Sequence, residues 1–121
     1  MKGTILLASF AAAILCLNAV AVEVTTDTTV TLTADSSTNY EIMDGVTLTI
    51  EVASGDTYEL SGQITGTGTA KLRKTGLGML ALSASNNVIP GGIEVAQGSV
   101  RADAEGALGD GKITITYNST A

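Results

Sequence analysis

Residues 50–55 read Ile-Glu-Val-Ala-Ser-Gly, and the pattern returns at residues 93–98 as Ile-Glu-Val-Ala-Gln-Gly. The two stretches differ only in their fifth residue, Ser54 against Gln97. Half of the separation between them, about 21 or 22 residues, is close to the length of one coil in a small solenoid. Four aliphatic residues, Ile50, Leu72, Ile93 and Ile115, follow one another at nearly this interval. The repeat predicts coils in which these four residues stack as one interior row.

Short runs of alternating apolar and polar residues fill much of the chain outside this repeat. The clearest are residues 46–52 (VTLTIEV) and 113–117 (ITITY). The pair Tyr58 and Leu60 also returns one such interval later, as Leu80 and Leu82. Threonine and β-branched residues suit half-buried strands, and the Gly, Asn, Asp and Ser residues between the runs suit turns.

These patterns predict an all-β fold. The period favours a parallel β-helix (β-solenoid) of about four short coils, and an antiparallel β-sandwich is the alternative. The aliphatic residues of each run should face the interior. The polar residues should face solvent, among them Thr47, Thr49, Glu51, Thr114 and Thr116.

Residues 1–21 have the layout of a secretory signal peptide. A positively charged start precedes the apolar run at residues 5–17, and Ala-Val-Ala at residues 19–21 is a small-x-small cleavage site. A transmembrane anchor is the alternative reading of this segment. Cleavage would leave residues 22–121 as the mature chain, without Cys16 and with no membrane span. We expect export through the inner membrane and a secreted or cell-surface location.

The composition excludes several kinds of site. The chain has no His and no Trp, so it lacks a Ser-His or Cys-His pair, a His-ligated metal and a Trp stacking platform. It carries 12 acidic and 6 basic residues, which leaves no positive surplus for a phosphate backbone. We therefore predict no catalytic, cofactor-binding or metal-binding residues, no cofactor and no nucleic-acid partner.

Three segments in the second half of the chain carry a family pattern. They are residues 74–83 (KTGLGMLALS), 91–100 (GGIEVAQGSV) and 106–111 (GALGDG). Together, residues 65–115 resemble the autotransporter-associated β-strand repeat, also called the passenger-associated repeat. The chain departs from that pattern at residues 88–90 (VIP), where the family usually has an aromatic residue, and at Val100, where Leu is common.

The resemblance implies a right-handed parallel β-helix in an exported passenger. Such passengers commonly act at bacterial cell surfaces in adhesion or aggregation, and the repeat itself is implied to assist folding and export rather than catalysis. The outer-membrane barrel of an autotransporter needs at least eight strands of about 10 residues. Residues 22–121 are already taken by the solenoid, so we expect a small exported protein or the N-terminal fragment of a longer autotransporter. A truncated reading frame without function is a further alternative.

A short solenoid has two ends whose strand edges are unpaired. Such edges invite stacking, so self-association through the ends is an expected interaction. The other expected partners are a host surface, matrix or glycan.

The only basic cluster consists of Lys71, Arg73 and Lys74. Alternation places Lys71 and Arg73 on one face of a strand, where they form a weak candidate site for an anionic glycan. The simpler interpretation is a solvated face, with Lys74 in the Lys-Thr-Gly position of the family.

The carboxylates Glu51, Asp56 and Glu59 are candidates for an acid/base pair, although exposure for solubility is the simpler reading. We predict a non-enzymatic, structural or adhesive protein. A β-helix enzyme acting on polysaccharide is the alternative.

Overall fold

A computed structural model describes residues 21–109 and 111–116. The predicted signal peptide, apart from Ala21, lies outside these residues, as does Tyr117 at the end of the last alternating run. Within the described ranges the secondary structure consists of strands and turns, with no helix.

The described residues contain eleven short strands, which form three sheets. The strands are β1 (Val22–Val24), β2 (Thr28–Thr31), β3 (Tyr40–Ile42), β4 (Thr47–Glu51), β5 (Thr57–Leu60), β6 (Ile64–Gly66), β7 (Lys71–Thr75), β8 (Met79–Leu82), β9 (Ile93–Val95), β10 (Ser99–Ala102) and β11 (Ile113–Ile115). The sheet orders are β1-β3-β6, β10-β8-β5 and β11-β9-β7-β4-β2. Every strand pair among them is parallel.

This topology is a parallel β-solenoid of about four turns, so the predicted fold class is confirmed. The alternative, an antiparallel β-sandwich, is wrong because consecutive strands of the described chain lie in different sheets and do not pair with each other. One complete coil contains β3, β4 and β5, and the next contains β6, β7 and β8. Each strand forms its ladder with the equivalent strands of the coils above and below.

The predicted interior row is confirmed for Leu72 and Ile93, which pair with each other, and is wrong for Ile50 and Ile115. Leu72 pairs with Leu48 on one side and Ile93 on the other, and Ile93 pairs with Ile113. By contrast, Ile50 pairs with Lys74 and Ile115 with Val95. The successive coils along this row therefore differ in length, and the longest step separates Leu48 from Leu72. A two-residue slip keeps a side chain on the same face, so alternation alone cannot detect it.

The predicted match between residues 58–60 and 80–82 is confirmed in the sheet β10-β8-β5. Tyr58 pairs with Leu80, and Leu60 pairs with Leu82, both at the predicted interval. The stacked aliphatic side chains fill the interior between the three sheets. The fully buried members include Ile42, Leu48, Ile50, Leu60, Ile64, Leu72, Leu80 and Leu82.

Acidic side chains in the turns connect each coil to its neighbour. The Oδ1 atoms of Asp27, Asp35 and Asp44 accept hydrogen bonds from the backbone N–H groups of Thr47, Glu59 and Thr69, each at 2.9 Å. Each bond joins positions about one coil apart in the sequence. Thr47 and Glu59 belong to strands and Thr69 to a turn, and at all three the carboxylate satisfies a backbone donor that would otherwise need water. Part of the acidic excess is therefore structural.

Candidate functional site

The outward side of the five-stranded sheet carries a continuous row of polar side chains. The register brings together Thr29, Thr49, Arg73, Glu94 and Thr114, one from each of five adjacent strands. We call this surface the polar face. The predicted outward positions are confirmed, because none of the following is buried: Thr47, Thr49, Glu51, Thr114 and Thr116.

Lys71 and Arg73 both lie on the polar face, as alternation predicted. Their side chains are each 43% exposed, and both approach the same carboxylate. Glu94 Oε1 is 3.8 Å from Lys71 Nζ and 3.7 Å from Arg73 Nε. These separations exceed hydrogen-bond length, so the ion pairs are loose and contribute little to stability.

Lys74 lies on the opposite side of β7 from Lys71 and Arg73. Its side chain is fully buried, in an interior row between Ile50 and Val95. Lys74 directly follows Arg73, so the strand pleat sends the two side chains to opposite sides of the sheet. The predicted shared face of Lys71 and Arg73 is confirmed, and Lys74 lies outside it.

The buried ammonium of Lys74 is held by main-chain carbonyls. Lys74 Nζ donates to the carbonyl oxygens of Thr75 at 2.7 Å, Gly76 at 2.8 Å and Gln97 at 3.3 Å. Burial lowers the pKa of Lys74 from its ordinary value of 10.5, and the charge of Glu51 opposes this shift. The bonds join the turn after β7 to the turn after β9. Lys74 thus serves the interior of the solenoid and not an external ligand.

The position next to the buried Lys74 ammonium group requires a glycine, Gly98. Its φ is +68°, and a Cβ at this position would lie 2.8 Å from Lys74 Nζ and closer still to the carbonyl oxygens of Gly76 and Gly78. Only glycine combines this backbone conformation with so close an approach. Residues 97–98 belong to the repeat that indicated the coils. Here Gln97 supplies a carbonyl oxygen to the ammonium group of Lys74, and Gly98 packs closely against it.

The structure does not assemble the candidate acid/base pair. Glu51 lies on β4 and accepts a hydrogen bond from Thr31 Oγ1 at 3.0 Å, whereas Glu59 lies on β5 and accepts from Ser83 Oγ at 2.5 Å. The two strands belong to different sheets. Asp56 lies beside Tyr58, whose pKa is raised by burial first and by this carboxylate second. Glu51 and Glu59 each connect two coils and do not face one another across a cleft.

One residue that belongs to the candidate site was missed. Leu72, Ile93 and Ile113 pair in one row, and the residues that directly precede them are Lys71, Gly92 and Lys112. Lys112 is therefore a neighbour of Lys71, with a glycine between them. A cleft of about 340 Å³ opens there. We call it the basic cleft, and its lining includes Lys71, Gly91, Glu94, Lys112, Thr114 and Thr116. A step of 21 or 22 residues places Ile115, and not Ile113, next to Ile93. The position of Lys112 beside Lys71 therefore could not be predicted from that step.

Within residues 21–109 and 111–116, no three His, Cys, Asp or Glu side chains converge as a metal site would need. Over the same residues, no helix has the length and apolar character needed to cross a membrane.

Comparison of the chain with models of known families, with curated proteins and with solved structures found no match. The resemblance of residues 65–115 to the autotransporter repeat therefore rests on the motifs themselves.

Substitution of Lys74 should change both the stability and its pH dependence. We expect Lys74→Met to destabilise the fold at neutral pH by about 1–3 kcal/mol, because the carbonyls of Gly76 and Gln97 lose a donor. The folded-state pKa of Lys74 is lowered, so between that pKa and 10.5 the unfolded chain binds more protons than the folded one. The stability advantage of the wild type over Lys74→Met should therefore widen as pH rises through this window.

Urea unfolding of both proteins at neutral and alkaline pH measures this advantage. Tyrosine ionisation is common to both chains and cancels in the difference. An advantage that stays constant or shrinks on going to alkaline pH would show that Lys74 is not desolvated in the folded state.

Proposed function

We propose that residues 22–121 form an exported bacterial β-helix protein of the passenger type, secreted or held at the cell surface, with an adhesive or structural role and no enzymatic activity. The layout of residues 1–21 and the motifs of residues 65–115 support export and the passenger type. The observation that carries the adhesive role is the polar face. Five aligned strands present hydroxyl and charged groups on a rigid, extended surface that suits an extended partner.

The expected partner is a host surface, matrix or glycan. Thr29 and Thr49 are neighbours in the row, about 4.8 Å apart between adjacent strands, and Thr114 lies three strands beyond Thr49. Arg73 and Glu94 add charges of both signs at the centre of the same row. A polymer with regularly spaced hydroxyl and ionic groups can meet several of these side chains at once.

The alternative function is a β-helix enzyme that acts on polysaccharide. One observation favours it, namely that Glu94 lies in the basic cleft, close to the cationic side chains of Lys71 and Arg73. A carboxylate so placed could serve as a base on a bound uronic acid. This alternative predicts that acidic polysaccharides become shorter on incubation with the protein, whereas the adhesive function leaves their length unchanged.

The C-terminal end of the described solenoid supports self-association as a second interaction. Ile113 and Ile115 are 47% and 67% exposed there, beside an apolar hollow of about 210 Å³ that Val95 and Leu108 also line. The row Val30, Ile50, Lys74, Val95, Ile115 runs the length of the described fold. A second copy whose Val30 lies over Ile115 would continue this row by one further ladder step. We therefore propose end-to-end stacking of two copies.

A charge on the polar face should weaken surface binding. Thr49→Glu introduces a carboxylate next to Arg73, and we expect it to lower retention of the mature protein on immobilised matrix proteins and glycans severalfold. Thr57→Glu, at an exposed position of β5 in another sheet, makes the same chemical change away from the polar face and should have little effect. Surface retention at several salt concentrations measures both variants. Equal losses, or no retention of the wild type on any surface, would contradict the adhesive role.

Self-association should depend on the C-terminal end. Ile115→Asp should abolish oligomers of the mature chain in sedimentation velocity experiments, because burial of a carboxylate in the stacked end is costly. Leu77→Asp is a matched control, since Leu77 is 66% exposed and Ile115 67%, but Leu77 lies in the turn between β7 and β8. A mature chain that stays monomeric at high concentration would refute the stacking proposal.

A further inference from the structure

A glycine separates the two lysines that line the basic cleft. Lys71 and Lys112 lie two strands apart in one row, which separates their backbones by about 9.6 Å, and Gly92 between them has no side chain. Gly92 has a φ of +91°, and a Cβ there would collide with the carbonyl oxygen of Lys112. No other residue fits this position without a shift of the chain. The two lysines therefore flank a bare stretch of backbone.

The charge of the cleft differs from that of the rest of the molecule. Residues 22–121 contain five basic residues, and three of them, Lys71, Arg73 and Lys112, surround Glu94 or line the same cleft. The other two are engaged elsewhere: Lys74 is buried, and Arg101 donates to both carboxylate oxygens of Asp103 at 2.7 and 2.9 Å. A chain with a formal charge of −6 thus concentrates the exposed positive charge of its described residues in one place.

Glu94 leaves part of this positive charge uncompensated. Its Oε2 accepts a hydrogen bond from Thr116 Oγ1 at 3.0 Å, while its Oε1 stands 3.7 Å from Arg73 and 3.8 Å from Lys71. One carboxylate cannot neutralise three cations, and its loose contacts leave the lysine ammonium donors able to bind a second anionic group. The cleft volume of about 340 Å³ is at the lower end of the range for ligand sites.

We propose that the basic cleft binds the acidic groups of a polysaccharide, with Lys71 and Lys112 as the principal ligands on either side of Gly92. This inference rests on the proposed adhesive function and names its ligand class. A carboxylate or sulfate lies between the two ammonium groups, and the sugar hydroxyls meet Thr114 and Thr116, which line the same cleft. Glu94 competes with the ligand for Lys71 and so limits the affinity.

The test compares single substitutions that each alter one charge. Lys71→Gln and Lys112→Gln should each weaken binding about tenfold, the size expected for loss of one charge-assisted contact. Arg101→Gln removes the same charge from β10, in another sheet, and should change binding less than about twofold. Glu94→Gln keeps an acceptor for Thr116 but removes the competing charge, so it should strengthen binding severalfold.

The probes are polygalacturonate for carboxylates, heparin for sulfates, neutral dextran and a DNA duplex, with the folded mature protein titrated against each. Binding to either acidic polysaccharide that follows the order Glu94→Gln, wild type, Lys112→Gln supports the proposal and identifies the acidic group. Equal binding by Arg101→Gln and Lys112→Gln, binding to dextran or DNA as tight as to the acidic polymers, or no binding to either acidic polymer would overturn it.

The surface-retention assay separates this inference from the adhesive function. If Thr49→Glu lowers surface retention but Lys71→Gln and Lys112→Gln do not, the adhesive function stands and the acidic ligand is wrong. If the wild type is retained on no surface, the adhesive function itself fails. Far-ultraviolet circular dichroism of each variant excludes loss of folding as the cause of either result.

Discussion

Backbone hydrogen bonding between the parallel strands of successive coils is the constraint on which the rest of this structure depends. Among the described strands, none pairs with the strand that precedes or follows it in sequence, so a single coil has no ladder of its own. The coils along the largest sheet differ in length, and the turns must absorb these differences. Asp27, Asp35 and Asp44 lie between strands, and each accepts a hydrogen bond from a backbone N–H group about one coil further along the chain.

Two buried polar side chains, Asn87 and Lys74, also form hydrogen bonds between coils, in the interior of the solenoid. Asn87 accepts from the backbone N–H of Ile64 at 2.8 Å and donates to the carbonyl oxygen of Ala107 at 2.7 Å, so one residue joins three successive coils. Lys74 joins two turns through carbonyl oxygens alone. A buried polar group is tolerated only when its hydrogen bonds are satisfied, and here the satisfied bonds fix the stacking of specific turns. The polar face is regular because this stacking is fixed.

Alternation and the repeat predicted much of this architecture, including the parallel solenoid, the outward threonines and the shared face of Lys71 and Arg73. Alternation and the repeat could not predict the strand register, because a slip of two residues leaves every side chain on the same face of the sheet. The same slip hid Lys112, which precedes the apolar run at Ile113 just as Lys71 precedes Leu72. The same alternation puts Lys74 on the side of β7 that carries Leu72, and this side is buried. The repeat of residues 50–55 at residues 93–98 indicated the right period, although its equivalent positions do not stack. In the structure, Ile50 lies in one row with Lys74 and Val95, and not with Ile93.

The register of β4 against β7 determines which side chains share the polar face, and disulfide formation tests it most directly. Residues 22–121 contain no cysteine, so in this part of the chain Thr49→Cys with Arg73→Cys can be compared with Thr49→Cys with Lys71→Cys, which represents the near-constant step. The observed register predicts that the Thr49/Arg73 pair oxidises readily to a disulfide in the folded protein. The Thr49/Lys71 pair, about 8 Å apart between Cα atoms, should resist oxidation. Preferential oxidation of the Thr49/Lys71 pair would contradict the register, the polar face and the basic cleft together.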